Sequence, residues 1–257
     1  MSKSQITTFQ VDNLMVKIYP DRAEMGRAAA ESVASKIRQL LEQQGHVSIV
    51  FAAAPSQEEF LAALGTAPGV DWHLVTAFHM DEYLGLPLGA PQRFGNFLRE
   101  RLFDKVKPGT VHYLGLQSID PETETQRYSL LLKNRPLDIA CMGIGQNGHI
   151  AFNDPHVADF HDPLLVKVVE LDERSRRQQV HDGCFARLDE VPRSAITMTI
   201  PALMSARWIH CIVPDASKAE AVRACLRGPI MTTCPASILR QHPGAVLYLD
   251  PDSASLL

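Results

Sequence analysis

Residues 138–155, DIACMGIGQNGHIAFNDP, hold an apolar strand that runs straight into a turn which no packing requirement explains. Ile139, Ala140, Cys141 and Met142 form a short apolar run between Asp138 and Gly143, the pattern of a strand covered on both faces. Gly143, Gly145 and Gly148 then let the backbone bend sharply and gather Asn147, His149, Asn153 and Asp154. Ligands of open α/β sheets bind beyond the carboxyl ends of the strands, so this turn is the first candidate for an active site.

Strands and helices alternate on both sides of that stretch. Asp21 and Glu24 have capping-box spacing at the head of an alanine-rich helix that stops at Gly45. VSIVFAAA (47–54) reads as a buried central strand, and Pro55-Ser56 opens the amphipathic SQEEFLAAL, where Ser56 and Glu59 repeat the capping-box spacing. A strand delivered to a helix N-terminus leaves free N–H groups that suit a phosphate, or it is an ordinary strand–turn–helix joint. LVTAFHM (74–80) is a third strand, running into Asp81-Glu82-Tyr83 and then into LGLPLGAPQ, a loop by its glycines and prolines. A helix over about 93–106, a turn at Pro108-Gly109, a short strand VHYLG and a helix capped by Asp120 lead to the Asp138 strand.

The pattern loosens after Pro155. HVADFHDPLL reads as a flap over the site or as a surface loop, and its His156 and His161 match no standard metal-ligand spacing. VKVVEL, AITMTI, RWIHCIVP and AVLYLD are four more strands, and helices cover DERSRRQQV, SKAEAVRACLRG up to Gly228, and CPASILRQHPG. The expected fold class is α/β, three-layer, with a mostly parallel central sheet and helices on both faces, Rossmann-like. The expected organisation is one domain over 1–257, with a loop-rich insert around 155–165.

Composition narrows the function. A 257-residue chain that is 46% hydrophobic and 21% charged can bury a substantial core. A net charge of -4 argues against a broad nucleic-acid footprint, so an anionic ligand needs a local pocket, and a small phosphorylated metabolite suits one. The 5 cysteines are odd in number and never spaced C-x-x-C, the usage of a reduced protein. MSKSQITTFQ lacks the apolar stretch of a signal peptide and no later apolar run could span a membrane, so a cytoplasmic protein without membrane partners is expected.

HMDEYLGLP at 79–87 and GIGQNGHIAFNDP at 143–155, in that order, resemble the glucosamine-6-phosphate deaminase/isomerase family, whose wider superfamily includes the 6-phosphogluconolactonases. The lactonase motif resembles G-x-DGHTAS, and the AFNDP ending and the MDEY box both favour the deaminase/isomerase branch. The resemblance implies conversion of glucosamine 6-phosphate, or a close epimer, to a ketose 6-phosphate with release of ammonia. It implies a catalytic set of Asp81, His149, Asn147 and Asp154: Asp81 as the base moving a proton between C2 and C1, and His149 as the ring-opening histidine. A carboxylate desolvated under a substrate, and an imidazole titrating near neutrality, suit those tasks. Substrate binding is assigned by the same resemblance to Ala53, Ala54, Ser56, Glu82, Gly148, Gln179 and Lys218, with Lys218 the lysine that meets phosphate.

Two departures from the family pattern stand out. Deaminases of the family commonly carry Asp two residues before the histidine and Glu five after it, where this chain has Asn147 and Asp154. Asn147 cannot stabilise an imidazolium by charge, although its carbonyl can fix a tautomer. The phosphate loop also reads Ala52-Ala53-Ala54-Pro55-Ser56 in place of a T-G-x-T-P-like run. The family's phosphate-binding arginine falls near Gln178 or Gln179, with Arg176 and Arg177 close by, and the sequence does not choose among them. No cofactor and no metal is implied, because a proton shuttle on a sugar needs neither. The implied partner is a small phosphosugar, and a homo-oligomer stays compatible with the sequence. Alternatives are a galactosamine-6-phosphate or other phosphosugar isomerase, a 6-phosphogluconolactonase, or a non-catalytic sugar-phosphate sensor.

Overall fold

A computed structural model describes residues 6–115 and 120–257. The first residues of the MSKSQITTFQ stretch read above lie outside the described residues. The chain opens with a hairpin of β1 (Thr7–Val11) and β2 (Leu14–Ile18) that the sequence reading had passed over. Its signal was the Asp12-Asn13 turn between two strand-like runs, with Asp12 at a positive φ of 51°. Helix α1 (Arg22–Gln44) follows, with the Asp21 carboxylate accepting from the Glu24 N–H at 2.7 Å and Gly45 closing it in the left-handed conformation.

Strand β3 (Val47–Phe51) then leads through a 3₁₀ turn at Pro55–Gln57 into α2 (Glu58–Leu64). The capping box expected of Ser56 and Glu59 does not form. No side chain caps this helix, and Glu59 pairs instead with Arg22 at 2.7 Å. Strand β4 (Val75–His79) passes at Met80 into β5 (Asp81–Tyr83), and α3 (Phe94–Leu98) continues through a π-helical turn into α4 (Asp104–Val106). After β6 (Thr110–His112) come α5 (Pro121–Asn134), β7 (Ile139–Met142), β8 (Val166–Glu170), α6 (Glu173–His181), β9 (Ser194–Met198) and α7 (Ile200–Met204). β10 (Trp208–Val213), α8 (Ala219–Arg227), a 3₁₀ helix at Pro235–Gln241 and β11 (Ala245–Leu249) complete the order.

Eight strands form one sheet in the order β1-β2-β11-β10-β7-β3-β4-β6, parallel throughout except for the β1–β2 hairpin. Alternation along the central strands sends neighbouring residues to opposite cores. In β7, Ile139 and Cys141 join the core that contains α1 and α2, whereas Ala140 and Met142 join the core that contains α5, α7 and α8. Both faces are therefore covered, which is the expected three-layer arrangement. No helix among the described residues is long and apolar enough to cross a membrane.

VKVVEL and AITMTI are strands, as their patterns suggest, and Asp81-Glu82-Tyr83, which in sequence links the LVTAFHM strand to a loop, is a third. The structure places all three in a second, antiparallel sheet of order β5-β9-β8. Met80 is the seam: its N–H donates to Phe51 of the large sheet, and its carbonyl accepts from Met198 of the small one. Asp81 thus sits where two sheets meet. The chain also moves outward from β3 to β4 and β6 on one side, and from β7 to β10 and β11 on the other. β3 and β7 flank the point where the winding reverses, and their carboxyl ends open the crevice in which such folds bind ligands.

Candidate active site

One cleft occupies that crevice. It is lined by Ala52, Ala53, Ala54, Ser56 and Gln57 after β3, by Met80 and Asp81 at the seam, and by Gly143, Ile144, Gly145, His149, Ala151 and Phe152 after β7. Phe94, Gln178, Gln179 and Lys218 close it from the helices. The three segments singled out in the sequence therefore meet at one place.

Asp81 is buried and its carboxylate has no hydrogen-bond partner among the described residues. Burial, and then the neighbouring Glu82 charge, push its pKa well above the ordinary carboxylate value. Glu82 points the other way, because successive side chains on a strand face opposite sides. Its carboxylate accepts the N–H groups of Tyr83, Phe94 and Gly95 at 3.0, 3.1 and 3.0 Å and lies 3.4 Å from Arg93. The assignment of Glu82 to substrate binding is therefore corrected: it anchors α3 to β5 and does not line the cleft. His79, which the sequence reading left aside, supports the same strand. Burial lowers its pKa to about 3, and the neutral ring accepts from Leu114 N–H at 2.7 Å while its other nitrogen meets the Asp81 carbonyl at 3.0 Å.

The glycine turn orients His149. Its Nδ1 lies 2.8 Å from Asn147 Oδ1, 3.0 Å from Asp154 Oδ1 and 3.1 Å from Ser175 Oγ, and Nε2 has no partner among the described residues. Asn147 Nδ2 donates to Asp154 Oδ1 at 2.9 Å and to Asp172 Oδ2 at 3.1 Å, and the Ser175 hydroxyl makes a short bond to Asp154 Oδ1. Burial alone would raise the Asp154 pKa, but the His149, Asn147 and Ser175 contacts outweigh it and hold the carboxyl well below its usual range. Gly145 packs flat on the imidazole, so that a Cβ there would overlap the ring. Gly148 has a different task. It holds a φ of 85° against Cys234 and does not line the cleft, so its assignment to substrate binding is corrected to a turn requirement.

The phosphate-side residues separate cleanly. Lys218 is buried and makes no ion pair or hydrogen bond among the described residues through Nζ, and burial lowers its pKa against the opposing pull of Asp182 and Asp215. Ala53 and Ala54 offer backbone N–H groups not engaged elsewhere among the described residues. Gln178 accepts the Gln146 N–H at 2.9 Å and so braces the turn, leaving the Gln179 amide facing the cleft. Neither arginine lines the cleft: Arg176 donates to the carbonyls of Leu188 and Val191, and Arg177 pairs with Glu173 in solvent.

Gln57, Ser175 and Asp172 carry no motif signal and were missed. Gln57 Nε2 donates to the Ile212 carbonyl at 3.0 Å, while its Oε1 is buried without a partner. As for metals, Asp154, His156 and Asp172 bring ligand atoms within 4.8 Å of one another. Both carboxylates already accept hydrogen bonds there, from Asn147 and from backbone N–H groups, so a cation would have to displace those donors. His161 takes no part.

The sequence profile of the glucosamine-6-phosphate isomerases/6-phosphogluconolactonase family matches residues 20–248. The chain belongs to this family. Among curated relatives, a glucosamine-6-phosphate deaminase of Exiguobacterium sibiricum is 40% identical over 190 residues, covering 73% of each chain. One of Lactobacillus delbrueckii subsp. bulgaricus is 33% identical over 245 residues, covering 95% of this chain and 100% of the relative. Among solved structures, a monomeric glucosamine-6-phosphate deaminase superposes with a TM-score of 0.85 at 29% identity, covering 95% of this chain and 99% of its own. A 6-phosphogluconolactonase of Thermotoga maritima superposes at 0.75 with 20% identity over 92% of this chain and 99% of its own, a likeness of fold alone. Family membership accounts for the fold and for the order of the two motifs; the unpartnered Asp81 carboxylate and the contacts of His149 belong to this chain's own geometry.

Proposed function

We propose that this chain converts a 2-amino-2-deoxyhexose 6-phosphate, glucosamine 6-phosphate or its C4 epimer, to a ketose 6-phosphate and ammonia. The observation that carries the reading is the Asp81 carboxylate, buried and unpartnered in the same cleft as His149 Nε2 and the Lys218 amine. Lys218 and the Ala53 and Ala54 amides would hold the phosphate, with Ser56 and Gln179 beside them. His149 Nε2 takes the proton of the C1 hydroxyl and returns one to the ring oxygen, which opens the sugar to its aldehyde. Asp81 then removes the C2 proton and C1 oxygen gains one, giving an enol-amine. Return of a proton to C1 leaves an imine at C2, and water hydrolyses it to the ketose with loss of ammonia.

A carboxyl whose pKa is raised is a stronger base when ionised and a competent acid when protonated, as a two-way proton carrier must be. A lactonase reading is weaker, because hydrolysis of a lactone gives a C2 base no task. The reading takes the whole chain as one unit, since both sheets supply cleft residues. It also places the reaction in the cytoplasm, in keeping with five cysteines that are all free.

The test is coupled detection of ammonia and ketose 6-phosphate from glucosamine 6-phosphate and galactosamine 6-phosphate, with Asp81→Asn as the blank. Ammonia from either epimer, absent in the blank, supports the reading. Ketose without ammonia makes the chain a plain isomerase, and binding without either product makes it a sensor.

A further inference from the structure

The family pattern puts a carboxylate two residues before the histidine, and this chain puts an amide there. An amide is a less forgiving neighbour than a carboxylate, because one end donates and the other accepts, and only one orientation leaves its carbonyl to His149. We propose that Asp172 is a positioning residue for His149: by gripping the Asn147 amide it holds the carbonyl on Nδ1, which Asp154 Oδ1 also faces at 3.0 Å, and so keeps the imidazole in its Nδ1–H tautomer with the Nε2 lone pair free in the cleft. This inference rests on the proposed ring-opening role of His149, and it concerns a residue that makes no contact with the cleft itself.

Asp154 Oδ1, an acceptor 3.0 Å from His149 Nδ1, already favours a hydrogen there, and Asn147 adds to it. Asn147 Nδ2 faces Asp154 Oδ1 at 2.9 Å and Asp172 Oδ2 at 3.1 Å, both acceptors. Asn147 Oδ1 faces the His149 backbone N–H at 3.0 Å, a donor only. With the carbonyl so directed, Nδ1 at 2.8 Å from it must carry a hydrogen. Ser175 agrees: its hydroxyl hydrogen goes to Asp154 Oδ1, so at Nδ1, 3.1 Å away, its oxygen can only accept.

Asp172 holds this arrangement from outside. Its Oδ1 caps α6 through the Ser175 N–H at 2.6 Å, its Oδ2 takes the Asn147 amide, and its own N–H donates to Asp154 Oδ2 at 3.3 Å. One residue therefore ties the start of α6 to the glycine turn and sets the positions of Ser175 and Asn147 together. It also adds a second negative charge, beyond that of Asp154, one amide away from His149. The other ionisable groups around this network are Asp154 and the exposed His156, with Asp81 and Lys218 across the cleft.

Three variants separate positioning from mere support. Asp172→Asn keeps a good helix cap but turns an NH2 group toward the NH2 of Asn147. Asp172→Ser keeps a capping oxygen and offers nothing to Asn147. Asn147→Asp combined with Asp172→Asn restores a donor–acceptor pair between the two positions in the reverse sense. The primary readout is the tautomer of His149 from imidazole ¹⁵N shifts across pH without substrate, with His149→Gln to assign the signal among the ten histidines. Circular dichroism monitors the fold.

The native chain is expected to show Nδ1–H with Nε2 unprotonated at alkaline pH. Asp172→Asn and Asp172→Ser are expected to show mixed tautomers, with kcat lower by roughly 10- to 100-fold and KM nearly unchanged. The exchanged pair should regain the Nδ1–H tautomer and part of the rate, because its carboxylate accepts from Nδ1 but meets Asp154 Oδ1 where the amide donated. A single Nδ1–H tautomer and native kcat in both Asp172 variants would overturn the proposal, as would losses that simply add in the exchanged pair. If the native chain turns over no amino-sugar phosphate, the functional reading fails while the tautomer measurement still decides this one.

Discussion

The seam that carries Asp81 and the glycine turn that carries Asp154 each bury one carboxylate, the first lining the cleft and the second in contact with the cleft's histidine, with opposite results. Asp81 starts a strand at the join of two sheets, where no donor among the described residues bonds its carboxylate, and burial drives its pKa up. Asp154 ends a turn where a histidine, an amide, a hydroxyl and a backbone N–H converge, and those donors hold its pKa down in spite of burial. Burial is the same condition in both places. The donors within reach decide whether the carboxylate can exchange protons in catalysis or stays a fixed negative anchor.

Replacing the reactive member should have the largest effect. Asp81→Asn is expected to lower kcat by about 10²- to 10⁴-fold, the usual contribution of a positioned general base, with KM little changed. Steady-state kinetics on the better amino-sugar phosphate checks it. A similar loss of kcat in Glu82→Gln without loss of thermal stability would break the distinction drawn between these adjacent carboxylates.

Removing the anchored member should act on the fold first. Asp154→Ala leaves Asn147, Ser175 and His149 without their shared acceptor, and a loss of about 3 kcal/mol in urea unfolding is expected. Lys218→Met removes the cleft's buried cation without removing its bulk. It is expected to raise KM for the phosphorylated sugar by roughly 10- to 100-fold, the worth of a charge-assisted bond, while leaving any weak turnover of the unphosphorylated sugar alone.

The smallest effect has the sharpest sign. Asp154 has a lower pKa folded than unfolded, so its stabilisation is present above the unfolded value of about 4 and is lost as pH falls. Asp81 is raised on folding, so its favourable contribution exists below about 4 and is lost as pH rises through the raised value. Asp81→Asn is therefore expected to melt higher than the native chain near pH 7, by roughly 2–4 °C for each kcal/mol recovered, and to match it near pH 3.5. Calorimetry at the two pH values checks the crossover. A variant that melts lower at pH 7 would mean that Asp81 has a partner in solution.

Much of this was legible along the chain. Asp21 and Gly45 bracket α1, Asp120 caps α5, and the apolar runs at 47–51 and 139–142 became adjacent parallel strands, because caps and two-sided burial leave local marks. Asp81 and His149 were legible for a different reason, since they sit in the two motifs, and Lys218 through the wider resemblance to the family. Ser56 and Glu59 misled because correct capping spacing competes with other partners, here Arg22 for Glu59. Glu82 misled because a motif does not say which of two adjacent side chains a strand turns inward.

Sequence by itself determined the α/β class, the crevice at the strand ends and the residue types that could move protons there, since periodicity, caps and glycines act over a few residues. Only the tertiary structure decided that β5, β8 and β9 leave the main sheet, that Arg176 and Arg177 face elsewhere, and that Asp172 and Ser175 complete the surroundings of His149. The sheet division and the surroundings of His149 depend on contacts between segments far apart in the chain, such as Ser175 with His149. In such contacts geometry in three dimensions selects one partner from many with the same chemistry.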